Sequence, residues 1–449
     1  MKRRPALAVF VAFAVLYIAA GLWTDRRVPP TGDEPYYLLA ADSLLHGEGF
    51  ALDARWAAIG TSGYDAPDHL ADLPRQSSPS LRAPGHYPLH DLGLSILLAI
   101  PLALGGRGLA VACIGIAMAA AIAVAFHTSR RVTGLRVSLA AAVLAGSSVP
   151  ALTYSGQLFP DSVLPLAVAA GLAALLGAAP LWVGALGIAA LPFLHLRAWP
   201  IAIALLLLLA RRRTSRERVL LAVPLGVVVV GSALLDLWVY GLALPHAGFL
   251  LFFTRGDASV ATYSATTPLG IIGLFIDRAF GLLPAAPIAL LAFVGAGLAL
   301  RRRAVWALLP IPYLLLASAV DWTGGYSPQS RYLAALVPVL VLFFALALGT
   351  RAARLAAIPL GLWTAAMSLI YVVVPGIRYD SQGVPPFADR TLDKAVGGHL
   401  SGIFPLIGTD GATTLLVIAW VAGLALVVIF GLVTRPSSTV PTMTPGARL

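Results

Sequence analysis

Apolar runs of membrane-spanning length recur along the chain from Leu7 to Val433, separated by short clusters of arginine. Crossing about 30 Å of hydrocarbon takes roughly 20 apolar residues in a helix, and irregular backbone or an open strand edge cannot face lipid. The expected fold is therefore an all-α integral membrane bundle. Composition leaves little room for anything else: 59% of the 449 residues are hydrophobic and 11% charged, with mean hydropathy +0.87. A sizeable soluble domain is excluded.

The net charge of +11 would suggest a polyanionic partner in a soluble protein. Here it sorts by side of the membrane, so no nucleic acid is expected. Basic clusters stand at Lys2, Arg3 and Arg4; Arg130, Arg131 and Arg136; Arg211, Arg212, Arg213, Arg216 and Arg218; Arg301 to Arg303; Arg351 and Arg354; and Arg435 and Arg448. They hold more than half of the 31 lysines and arginines, and Glu217 is the only acid among them. If all are cytoplasmic, spans fall near 6–23, 109–127, 137–154, 161–178, 180–194, 198–210, 219–240, 284–300, 304–319, 332–349, 355–374 and 411–433. That is about twelve transmembrane helices with both termini inside. The domain runs over 1–434, with a short cytoplasmic tail at 435–449. Lys2 to Trp23 reads as a retained signal anchor, because its apolar core is longer than that of a cleaved signal. The single cysteine, Cys113, rules out an intramolecular disulfide.

The run Leu92–Leu104 is too short to cross and contains Pro101. Counting it as a span would put Arg130 and Arg131 outside, so it is expected to lie along the outer face as an interfacial or re-entrant helix. Residues 24–108 then form one long external segment, which holds half of the 20 acids. The other reading is a short true crossing.

Within that segment, "TGDEPYYLLAADSLLHGEG" reads as a short amphipathic helix, with Asp33 placed as N-cap, Pro35 in the first turn and Leu38, Ala41 and Leu45 on one face. Capping needs one acceptor and contributes about 1 kcal/mol. The adjacent Glu34 is left over, and two carboxylates at a membrane helix end suit a proton-accepting site. Asp161, opening a helix in "FPDS", has the same two readings.

His195 and Arg197 in "LPFLHLRAWP" sit at a hairpin between spans. His195 could be a polar interfacial tip, but an arginine this close to hydrocarbon requires an anion. His86 and His90 in "HYPLHD" have the i, i+4 spacing of metal ligands, but no neighbouring Glu completes a zincin pattern.

"GDEPYY", "YSGQLFPDS", "LPFLHLRAWP", "IDRAFGLLPAAPI" and "DWTGGYSPQSRYLAALVP" occur in this order along nearly the whole chain. The ordered set resembles bacterial GT-C glycosyltransferases, a superfamily that includes protein O-mannosyltransferases and the aminoarabinose transferase of lipid A. The resemblance implies an enzyme of the bacterial inner membrane that takes a sugar from a polyprenyl-phosphate donor. It implies inverting transfer to an envelope lipid, glycan or protein acceptor on the extracytoplasmic side. Asp33 would be the base, with Glu34 and Asp161 assisting, and Arg331, Arg197, His195 and Arg278 would bind the donor phosphate. No metal ligand is assigned and no cofactor is required by the pattern, although a divalent cation is used by some relatives. The alternatives are a secondary transporter or flippase of lipid-linked sugars, which would show two related halves and mid-span polar groups, and a non-enzymatic scaffold.

Overall fold

The computed structural model describes residues 4–57, 77–211, 213–255, 267–320, 324, 327–378, 400–407 and 413–434. Arg212, Asp321 and the tail 435–449 lie outside the described residues. The chain begins with α1 (Arg4–Asp25), α2 (Glu34–Leu45), α3 (Asp53–Ala57) and a minimal antiparallel pair, β1 (Ser77–Ser78) with β2 (Tyr87–Pro88). There follow α4 (Leu92–Ser129), α5 (Leu135–Gly146), α6 (Ala151–Tyr154), α7 (Pro160–Leu175), α8 (Leu181–Leu194) and α9 (Trp199–Ala210). Next come α10 (Ser215–Tyr240), α11 (Ala247–Arg255), α12 (Thr267–Ile276), α13 (Leu282–Ala285), α14 (Leu290–Arg301) and α15 (Pro310–Val320). The last are α16 (Val337–Ala347), α17 (Arg351–Val373) and α18 (Thr413–Val433).

Each apolar segment expected from the sequence contains a helix. Among the described residues five of these helices, α1, α4, α10, α17 and α18, are long and apolar enough to cross a membrane. Their burial identifies the solvent. Val227, Val230 and Leu234 on α10, Leu355, Ile358 and Leu362 on α17, and Leu415, Ile418 and Leu426 on α18 are all exposed. In water such continuous apolar faces would drive aggregation, whereas hydrocarbon matches them at no cost. The molecule is a helical membrane-embedded protein. Its main core is elsewhere, around Tyr17, Phe126, Tyr154, Phe159, Trp306, Tyr313 and Phe344.

Local chemistry explains several boundaries. Glu217, the lone acid in the basic clusters, closes a capping box with Thr214 at the start of α10, each satisfying the other's backbone N–H. Gly241 ends that helix in the left-handed region (φ 76°). α1 packs against the strand of chain leading into α7 because both surfaces lack a side chain: a Cβ on Gly156 would stand 2.6 Å from the Cα of Gly21. The Tyr17 hydroxyl donates to Gly146 O at 2.7 Å and ties α1 to α5.

One expectation is corrected. The helix after "GDEP" is not amphipathic: Tyr36 to Ala41 are all buried, while Leu45, expected on the buried face, is exposed. Tyr37, Leu38 and Ala41 pack on Leu94, Leu98 and Val111, and Leu39 and Ala40 pack on Phe50, Leu52 and Tyr240. α2 is thus enclosed from two sides, as a helix that is apolar all round must be. The run Leu92–Leu104 forms its own helical stretch, as expected: α4 is broken at Gly105 (φ −160°, ψ 22°) and Gly106 (φ 64°, ψ −162°), and a second helical stretch follows to Ser129.

Candidate active site

The starts of α2 and α7 and the turn that precedes α16 meet at one guanidinium. Ser330 adopts a left-handed conformation (φ 64°) and launches a 3-10 turn over Arg331–Leu336. The segment before it is held from three directions. Tyr154 Oη donates to Pro328 O, Tyr371 Oη donates to Gln329 Oε1, and Ser330 N donates to Phe280 O at 2.9 Å. Arg331 therefore leaves the backbone from a fixed point.

Its side chain is 5% exposed and its donors are distributed among three acceptors. Nη2 donates to Asp33 Oδ2 at 2.5 Å, Nε to Asp161 Oδ2 at 3.0 Å, and Nη1 to Gly324 O at 3.1 Å. The guanidinium also lies 4.3 Å from the centre of the Phe159 ring. Two carboxylates distant in sequence thus share one cation. Neither caps its helix: Asp33 stands at the N-cap of α2 and Asp161 in the first turn of α7, and no side-chain cap bond forms at either start. The charge pairing replaces the capping reading.

The two carboxylates differ in access. Asp161 has 2% of its side chain exposed and Asp33 has 20%, so Asp33 is the one a second molecule can reach. Burial alone would raise its pKa, but the charge of Arg331, helped by His90 and Arg197, outweighs burial and holds the Asp33 carboxyl well below the usual carboxylate range. Asp33 is ionised at neutral pH. His90 Nε2 lies 3.7 Å from its free oxygen, Oδ1, and burial keeps the His90 pKa below the ordinary histidine value.

Glu34, the next residue, is turned the other way. Its Oε2 accepts from Thr31 N at 2.9 Å and its Oε1 from Leu158 N at 2.7 Å. It is fully buried, and burial raises its pKa. It staples the start of α2 to the loop before α7, and so positions both Asp33 and Asp161.

Arg197 and His195 approach from the α8–α9 hairpin. The Arg197 guanidinium stacks 4.3 Å from the centre of the Tyr332 ring, one residue beyond Arg331. Among the described residues no carboxylate lies within ion-pair distance of it. Arg197 N donates to His195 Nδ1 at 3.0 Å, so that nitrogen carries no proton. The imidazole is neutral, in accord with burial, which lowers the His195 pKa to about 4. His195 is a turn-former for Arg197 rather than a cation.

Arg278 belongs to a neighbouring turn. Its N–H donates to Pro405 O at 2.8 Å, beside Asp277, whose Oδ1 accepts from Ala279 N and Phe280 N and whose Oδ2 accepts from Ile407 N, each at 2.8 Å. Of the expected phosphate-binding group Arg331, Arg197, His195 and Arg278, Arg331 and Arg197 converge at Tyr332, and the Arg278 backbone lies in the neighbouring Asp277 turn, where its O accepts from Gln329 Nε2 at 3.3 Å.

His86 and His90 separate as well. His86 Nδ1 meets Asp53 Oδ1 at 2.6 Å on the exposed surface, whereas His90 faces Asp33. Residues i and i+4 share a face on a helix, but this stretch is extended, where four residues span about 13 Å. Among the described residues no group of three His, Cys, Asp or Glu side chains is placed to hold a metal ion.

Sequence reasoning missed Asp91 and His246. Asp91 precedes α4 without capping it. Its Oδ2 accepts from Leu196 N at 2.8 Å and its Oδ1 pairs with His246 Nδ1. The only available signal for Asp91 was its place beside His90 in "HYPLHD". The search of family models finds no match for this chain, and no curated protein matches it.

Proposed function

We propose that this chain is a membrane glycosyltransferase of the GT-C type, which moves a sugar from a polyprenyl-phosphate donor to an envelope acceptor with inversion. The observation that carries this reading is an ionised, reachable carboxylate, Asp33, held by Arg331 beside a second arginine, Arg197, that makes no direct ion pair among the described residues.

Each part has a task in an inverting transfer. Asp33 accepts the proton of the acceptor hydroxyl as that oxygen attacks the anomeric carbon. The bond from that carbon to the lipid phosphate breaks, and the phosphate leaves with the electron pair. It is already a stable anion and needs no proton, so a cation that meets its growing charge is the useful group. Arg331 is engaged by two carboxylates and a carbonyl, and its role is to keep Asp33 ionised and aimed. Arg197 takes the phosphate. A permanently charged planar fork suits that task.

The topology that accompanies this reading has about twelve spans, both termini cytoplasmic, and the site at the extracytoplasmic face of the inner membrane. There the isoprenoid tail stays in hydrocarbon and the phosphate sits at headgroup depth. The test is mass spectrometry of envelope lipids, glycans and proteins from cells carrying wild-type protein or Asp33→Asn. The expected result is the loss of one sugar-mass increment from one acceptor class, with turnover by the purified variant lowered at least about 100-fold. Unchanged glycosylation with normal amounts of Asp33→Asn in the membrane would overturn the assignment.

A further inference from the structure

Arg197 is gripped on both sides by groups outside the Arg331 cluster. On one side, Asp91 Oδ2 accepts from Leu196 N at 2.8 Å. On the other, Trp199 Nε1 donates to His246 Nε2 at 2.7 Å, and His246 Nδ1 pairs with Asp91 Oδ1. One carboxylate and one imidazole thus close a loop around residues 196–199. The hydrogen-bond directions have a single solution. An indole N–H can only donate, so His246 Nε2 must be the acceptor and Nδ1 carries the proton toward Asp91. The side chains of Asp91 and His246 are 8% and 9% exposed.

His246 reaches this position from a strained backbone. It has φ 66°, a left-handed conformation that is unfavourable for a non-glycine residue. The surroundings therefore over-determine where this imidazole points, a pattern that gathers at functional sites.

We propose that Asp91, His246 and Trp199 form a positioning relay for Arg197, fixing its guanidinium on Tyr332 where the donor phosphate is to be met. This inference rests on the reading of Arg197 as the phosphate-binding residue. The relay touches no reacting atom. It acts by holding the backbone of 196–199, so that Arg197 presents one orientation instead of sampling several. A pre-organised cation loses less freedom on binding, and the gain appears in affinity.

The experiment is a double-mutant cycle on full-length protein in nanodiscs, with a short-chain polyprenyl phosphate without sugar as the probe. Dissociation constants and thermal midpoints are measured for wild type, His246→Leu, His246→Gln, Arg197→Ala and the pair His246→Leu with Arg197→Ala. Glutamine can donate toward Asp91 and accept from Trp199, and leucine can do neither. We expect His246→Leu to weaken binding about tenfold, His246→Gln to stay within about threefold of wild type, and His246→Leu to add nothing once Arg197 is alanine. Equal weakening by His246→Leu in both backgrounds would show a general effect on the fold and overturn the relay. Wild-type affinity in a folded His246→Leu would do the same. If Arg197→Ala itself bound the probe as wild type does, the phosphate assignment would fall first and the relay with it. Should His246→Leu not fold, Trp199→Phe, which deletes one N–H, runs the same cycle with the same two overturning outcomes.

Discussion

The turn that opens at Arg331 and the turn that opens at Asp277 lie side by side, joined by Ser330 N to Phe280 O and by Gln329 Nε2 to Ala279 O at 2.5 Å. Each buries carboxylate against the same stretch of chain. In the first, Asp33 and Asp161 share a guanidinium, and Asp33 is held far below its ordinary pKa. In the second, Asp277 is 1% exposed and accepts three backbone N–H groups, yet burial prevails and its pKa is pushed up to about 6. At Asp277 three backbone amides and the nearby Arg278 charge do not offset burial, whereas at Asp33 the direct ion pair with Arg331 does. The first turn thereby keeps its carboxylate ionised at neutral pH, and the second holds a loop.

The strongest way to break this contrast is to remove the cation. Arg331→Met leaves two carboxylates facing each other with nothing between them. The expected loss is about 3–5 kcal/mol of stability, the scale for stranding a buried charge. Thermal unfolding in detergent checks it. Adding Asp161→Asn to Arg331→Met should recover part of that loss, because one of the two opposed charges is gone. A single variant as stable as wild type would mean that Arg331 is not what offsets the burial of these carboxylates.

A smaller effect sharpens the contrast within one helix start. Asp33 and Glu34 are neighbours, but Glu34 serves two backbone amides as Asp277 serves three. Glu34→Gln keeps one acceptor and turns an NH₂ toward the other amide, for a cost of about 1–3 kcal/mol. Per folded molecule, transfer should remain within a few fold of wild type. A variant with normal stability and no transfer would move Glu34 from the staple to the chemistry.

The gentlest probe is pH. For Asp277 the folded-state pKa of about 6 lies above the unfolded value of 3.8, so between them the folded protein binds the proton that the unfolded chain has released. This contribution is complete below about pH 4 and is lost as pH rises through 6, with a slope of at most about 1.4 kcal/mol per pH unit. Unfolding of wild type and Asp277→Asn across pH 4 to 7 isolates it, since the variant should lack that component. Asp33 runs the other way, its depressed pKa favouring the fold at neutral pH, with the loss coming only in strong acid.

Much of the architecture was legible because it follows from local composition. Apolar runs between arginine clusters located the helices. The enclosure of α2 is legible too, since "YYLLAA" has no polar face. The relay was not legible. His246 and Asp91 are 155 positions apart, and no spacing rule connects them.

The sequence by itself determined the solvent, the helices and the chemical types available near the site, because hydropathy and charge are properties of residues in a row. It placed Asp33 and Glu34 next to each other but could not say which one meets a cation. Successive residues on a helix point about 100° apart, so adjacent carboxylates inherit different neighbours. Only the meeting of the start of α2 with the loop before α7 and the Arg331 turn decided that Asp33 faces a guanidinium across 298 positions of chain while Glu34 faces backbone amides. The physical reason is that a side chain's protonation depends on the few groups within about 4 Å of it, and in this fold those groups come from distant parts of the sequence.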